Sequence, residues 1–87
     1  MFTQLGTNEV ISDKGFSVKR TERFELKYSQ GSKFIAIEVE PGDGLAIYKQ
    51  SIKNWNNGEQ VLQEDIPLIL QRVSEALDFL LAKYTIV

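Results

Sequence analysis

Phe34-Ile35-Ala36-Ile37-Glu38-Val39-Glu40-Pro41-Gly42-Asp43-Gly44-Leu45-Ala46-Ile47-Tyr48 is the stretch that decides the fold. Ile35, Ile37 and Val39 alternate with Ala36, Glu38 and Glu40, and Leu45 and Ile47 alternate with Ala46 and Tyr48. A period of two puts alternate side chains on opposite faces, the pattern of a half-buried strand. Between the runs, Pro41-Gly42-Asp43-Gly44 is the strongest turn signal in the chain: Pro presets φ and the glycines permit left-handed conformations. The stretch predicts an antiparallel hairpin with one apolar face.

Upstream, the same alternation continues. Phe16, Val18, Phe24, Leu26 and Tyr28 share even parity, and Val10-Ile11 is a short apolar strand. Asp13-Lys14-Gly15 and Ser29-Gln30-Gly31-Ser32 carry turn chemistry. Thr21-Glu22 fits either a turn or a bend within one long strand. Downstream, Asn56-Asn57-Gly58 is a polar turn, and a helix is expected from Asp65 to Lys83. Its stripe is Ile66, Ile69, Leu70, Val73, Leu77, Leu80, Leu81 and Tyr84, which at about 100° per residue falls within an arc of roughly 120°. Gln71, Glu75 and Asp78 point away. Glu64 and Asp65 suit the positive end of the helix dipole, Pro67 the first turn, and Lys83 the last. The expected fold is one α+β domain over 1–87: an antiparallel β-meander of four to five strands, one C-terminal amphipathic helix packed on one face, and Tyr84-Thr85-Ile86-Val87 as a short final edge strand.

Composition narrows the chemistry. The chain has 87 residues, 43% hydrophobic and 25% charged, values of an ordinary globular domain. It has 0 Cys and 0 His, which removes disulfides, thiolate metal sites, and the commonest general base and metal ligand. No catalytic, cofactor-binding or metal-ligating residue is expected. Gly42 and Gly44 sit in a hairpin turn, not between a strand and a helix N-terminus, so they make no phosphate loop. Glu38 and Glu40 stand roughly 6.7 Å apart on one strand face, a spacing two cooperating carboxylates can use, but nothing else in the chain supports that chemistry. The formal net charge of −2 disfavours nucleic acid, although Lys19, Arg20 and Arg23 beside Phe24 form a small basic group. Residues 1–33 carry a net +2 and residues 34–87 a net −4. No apolar run reaches the roughly 20 residues of a membrane span. The absence of Cys fits a reducing cytoplasm, and Met1-Phe2-Thr3-Gln4-Leu5 lacks a signal-peptide pattern.

Hairpin geometry points to a surface. With Gln30-Gly31 as a two-residue loop, Leu26 meets Ile35 and Phe24 meets Ile37 inside, while Arg23 meets Glu38 and Lys27 meets Phe34 outside. With Pro41-Gly42-Asp43 as the next loop, Val39 meets Leu45 and Ile37 meets Ile47 inside, and Ala36 meets Tyr48 outside. The outer face then carries Phe34, Ala36, Ala46 and Tyr48, flanked by Lys27 and an Arg23–Glu38 pair. Phe34, Tyr48, Ala36, Arg23 and Lys27 are the candidate partner-binding residues, since aromatic and Arg side chains anchor interfaces. Trp55 is expected to plug the edge between sheet and helix, burying roughly 150–250 Å².

Several segments resemble one family. Val18-Lys19-Arg20-Thr21-Glu22-Arg23 followed by Leu26-Lys27-Tyr28-Ser29-Gln30-Gly31-Ser32-Lys33, a Glu at 38 or 40, and above all Ile47-Tyr48-Lys49-Gln50-Ser51-Ile52-Lys53-Asn54-Trp55 look like the immunity protein family seventy-four of bacterial polymorphic-toxin systems. The resemblance spans about residues 15–87. Asn56-Asn57-Gly58 departs from the more acidic or Pro-containing stretch of that pattern. The resemblance implies a small, non-enzymatic cytoplasmic protein that neutralises a cognate toxin domain by direct contact, with no catalytic residues to carry over. The alternative expectations are a structural or regulatory homodimer through the same face or a free strand edge, and a weak nucleic-acid binder.

Overall fold

In the computed structural model, which describes all residues 1–87, seven strands and one helix follow each other along the chain. The strands are β1 (Phe2–Leu5), β2 (Glu9–Ser12), β3 (Phe16–Glu22), β4 (Glu25–Gln30), β5 (Lys33–Gly42), β6 (Gly44–Ile47) and β7 (Tyr84–Ile86), with α1 (Ile66–Phe79) before the last. Strand order in the sheet equals chain order. β1 to β6 form an antiparallel meander, and β7 joins parallel to β6. That parallel pairing requires a crossover, which α1 supplies.

The α+β class, the meander, the C-terminal helix and the final edge strand therefore stand, with seven strands in place of four to five. β1 is the addition at the N-terminus, where Phe2-Thr3-Gln4-Leu5 alternates too briefly to stand out as a strand. Phe2 packs edge-on against Phe16 and 5.4 Å from the Phe79 ring of the helix, while Tyr84 of β7 joins the same core. Strands at both ends of the sheet thus pack on one core, around which the sheet curls.

Both expected registers are displaced by two residues. β4 pairs Leu26 with Ile37, Tyr28 with Ile35 and Gln30 with Lys33, so the loop is Gly31-Ser32 and not Gln30-Gly31. Gly31 at φ +61° takes the first central position, the place a type II′ turn reserves for Gly. β5 pairs Val39 with Ile47 and Gly42 with Gly44, leaving Asp43 alone at the tip. A slip of two residues preserves every side chain's face, so the apolar set still points inward. Ala36 consequently lies opposite Lys27 and not Tyr48, and Ala46 lies opposite Glu40.

The β3–β4 connection changes a face as well as a partner. Thr21-Glu22 ends β3 with a register irregularity between Arg20 and Glu22, and Arg23-Phe24 makes the turn. Phe24 lies in that turn, before β4 begins, so strand alternation does not hold it inside; it is 55% exposed, with the Arg23 guanidinium 5.6 Å from its ring centroid. The expected Arg23–Glu38 pair is replaced by Glu25 opposite Glu38.

β5 is long enough to serve two neighbours, β4 through Lys33–Glu38 and β6 through Val39–Gly42. The first half of its far edge is closed by a loop. Asn56 N–H donates to the Phe34 carbonyl (2.9 Å), its Oδ1 accepts from Phe34 N–H (2.8 Å), and Ser51 Oγ accepts from Glu38 N–H (2.9 Å). The same loop carries Trp55, which is 8% exposed and tilted 6.3 Å from Tyr28, with the Lys33 ammonium 4.6 Å from its ring centroid. Tyr28 is fully buried, and its hydroxyl donates to Gln30 Oε1 and accepts from Arg72 of α1.

The helix is shorter than its apolar stripe. Ile69, Val73, Ala76 and Leu77 are buried, but the helix ends at Phe79, before Lys83. Leu81 N–H donates to the Asp78 carbonyl and Ala82 N–H to the Leu77 carbonyl, the paired bonds of a Schellman ending. Leu81 occupies the left-handed position with φ 58° and is 92% exposed, so it leaves the core-facing stripe. No helix is long and apolar enough to cross a membrane.

Candidate interaction surface

Inward residues of β2 to β6 end in the core, and their neighbours form the convex outer face. The registers set these neighbours in rows. Lys19 stands directly opposite Lys27, and Ala36 continues that row. One step toward one end, Ser17, Ser29 and Phe34 align. One step the other way, Glu25 stands directly opposite Glu38. Like charges directly opposite each other on one sheet face oppose folding, by a few tenths to about 1 kcal/mol per pair. No Lys or Arg side chain lies within ion-pair distance of a carboxylate; the sole ion pair joins the Met1 amino group to Asp13. Two like-charged rows of opposite sign thus lie side by side; Glu9 of β2 faces Lys19 at the end of the basic row, but no ion pair closes between them.

The candidate residues sit on this pattern, with one exception. The Lys27 ammonium lies 4.2 Å from the Phe34 ring centroid, a diagonal cation–π contact that joins them although they are not direct partners. Ala36 is exposed beside Lys27. Tyr48 follows β6 at the acidic end: its N–H donates to the Glu38 carbonyl and its hydroxyl donates to Glu40 Oε2 at 2.5 Å. The hydrogen bond to Glu40 raises the phenol pKa above its ordinary 10.0, assisted by desolvation and by the charges of Glu40 and Glu38. Arg23 is the exception, lying in the β3–β4 turn against Phe24. Of the two carboxylates on this strand face, Glu40 is engaged by Tyr48.

Lys19 and Glu25 also belong to this face, beside the candidate residues. Odd parity in β3 and β4 marks both as outward, but their partners depend on where the turn falls. Arg23-Phe24 as the turn, together with one extra residue between Arg20 and Glu22, brings Lys19 to Lys27. No family model, curated protein or solved structure matches the chain.

Proposed function

We propose that the chain is a non-enzymatic protein-binding module that grips its partner through the outer face of β3 to β6. The observation that carries this reading is the pair of adjacent rows without ion pairs, Lys19–Lys27 and Glu25–Glu38, bordered by Phe34 and Tyr48. A partner with complementary charges relieves both rows at once, and the aromatic side chains supply apolar anchoring. A convex face suits a concave partner such as an enzyme cleft. The resemblance of Ile47–Trp55 and neighbouring segments to an immunity family makes a toxin domain the partner class, in the cytoplasm. The expected test is co-expression with the product of the adjacent gene: relief of its toxicity by wild type, and loss of relief in Phe34→Ser/Tyr48→Ser, supports the proposal. A non-toxic neighbour, or toxicity this chain does not relieve, counts against the toxin assignment.

A second copy is the alternative occupant, because the rows are self-complementary. A two-fold axis between them sets the basic row of one protomer on the acidic row of its partner. A monomeric mass at high concentration eliminates it.

A further inference from the structure

A cavity of about 410 Å³ opens at the end of the curled sheet remote from Trp55, on the inner side, away from the outer face. Val18 of β3, Leu26 of β4, and Leu77 and Leu80 of α1 make its apolar wall. Its charged lining is Arg20 and Lys83, with no Asp or Glu among the lining residues. In a chain of net charge −2, a pocket bearing two cations and no anion reverses the sign of the whole.

Arg20 is held at its guanidinium and Lys83 at its backbone. Arg20 follows Val18 on the inward parity of β3, and its guanidinium is pinned to the β3–β4 turn: Nη2–H donates to the Arg23 carbonyl at 2.7 Å and Nε–H to the Glu22 carbonyl at 3.3 Å. A guanidinium carries five N–H donors, so the rest remain for a ligand. Lys83 precedes β7, where its carbonyl accepts from Leu45 N–H at 2.9 Å. Its Cβ lies so near Gly44 that any side chain there would come within 3.2 Å of it. Neither cation has a carboxylate within ion-pair distance.

We infer that this cavity binds a small monocarboxylate with an apolar body, its carboxylate held between Arg20 and Lys83 and its hydrocarbon laid on Leu26, Leu77 and Leu80. Pinned guanidinium donors match a carboxylate's two oxygens, and the volume lies in the lower range of small-molecule sites.

Octanoate is the probe, with acetate and 1-octanol as controls lacking the body or the charge. Titration of the whole chain, followed by backbone amide resonances, is expected to give saturable shifts clustered at Arg20, Leu26, Leu45 and Lys83. Each control should bind at least about tenfold more weakly, since each lacks one half of the recognition. Lys83→Gln should weaken octanoate about fivefold, the effect of one exposed charge contact. Leu80→Trp, which fills the cavity, should abolish binding, with native amide dispersion confirming that it folds. The inference is overturned if octanoate shifts no amides at millimolar concentration, if the shifts cluster elsewhere, if 1-octanol binds equally well, or if the folded Leu80→Trp variant binds like wild type.

Discussion

Leu81→Gly is predicted to stabilise the fold. Leu81 holds the left-handed position of the helix ending at φ 58°, where an L-residue with a Cβ costs about 1–2 kcal/mol. Its side chain is 92% exposed, so deleting it removes almost no buried area. Gly releases the backbone strain but adds unfolded-state freedom worth about 0.4–1 kcal/mol. The net gain is about 1 kcal/mol, or roughly 4–8 °C in Tm for a domain of this size. Urea unfolding of wild type, Leu81→Gly and Leu81→Ala measures it. Ala keeps the Cβ, so it should stay within about 0.5 kcal/mol of wild type. A Leu81→Gly variant less stable than Leu81→Ala would refute the reasoning, because it would mean that the side chain or its backbone rigidity outweighs the strain.

Gly44→Ala is expected to destabilise by about 1–3 kcal/mol in the same assay, since Gly44 sits at φ +108° and the added Cβ would meet Lys83 at 3.2 Å. Tyr28→Phe removes a hydroxyl that joins Gln30 and Arg72 in the core and should cost about 1 kcal/mol. The Tyr48 phenol should ionise above 10.0 in an ultraviolet difference titration, and Glu40→Gln should bring it back toward that value. Because its folded pKa is raised, its contribution to stability is complete below 10.0 and is lost as pH rises through the folded value. Glu38→Lys places opposite charges across from each other at Glu25 and should stabilise the free chain by about 0.5 kcal/mol.

Alternation made the inner face legible before the structure: Val10, Phe16, Val18, Leu26, Tyr28, Ile35, Ile37, Val39, Leu45 and Ile47 are all buried. Cross-strand partners were harder, because a two-residue loop shift leaves every face intact while moving every pair, as at Gly31-Ser32. Phe24 was misplaced because it lies in the β3–β4 turn, where strand alternation no longer applies. Leu81 and Lys83 fell outside the helix because periodicity continues past Phe79 while the backbone turns left-handed, with no Gly to announce it. At the candidate surface, Phe34, Ala36, Tyr48 and Lys27 were legible from parity alone. The charge rows were not, because they exist only in the true register.

The central claim is that the outer sheet face is a binding surface whose charges are arranged for a partner at the expense of the free chain. The most direct measurement compares capture of partner from source lysate by wild type, Phe34→Ser/Tyr48→Ser, Glu38→Lys and the exposed helix control Leu68→Ser, with unfolding free energies on the same samples. The account predicts one protein held by wild type and Leu68→Ser and lost from the other two, although Glu38→Lys is at least as stable as wild type. Equal capture by all four, or loss only where stability also falls, would contradict it.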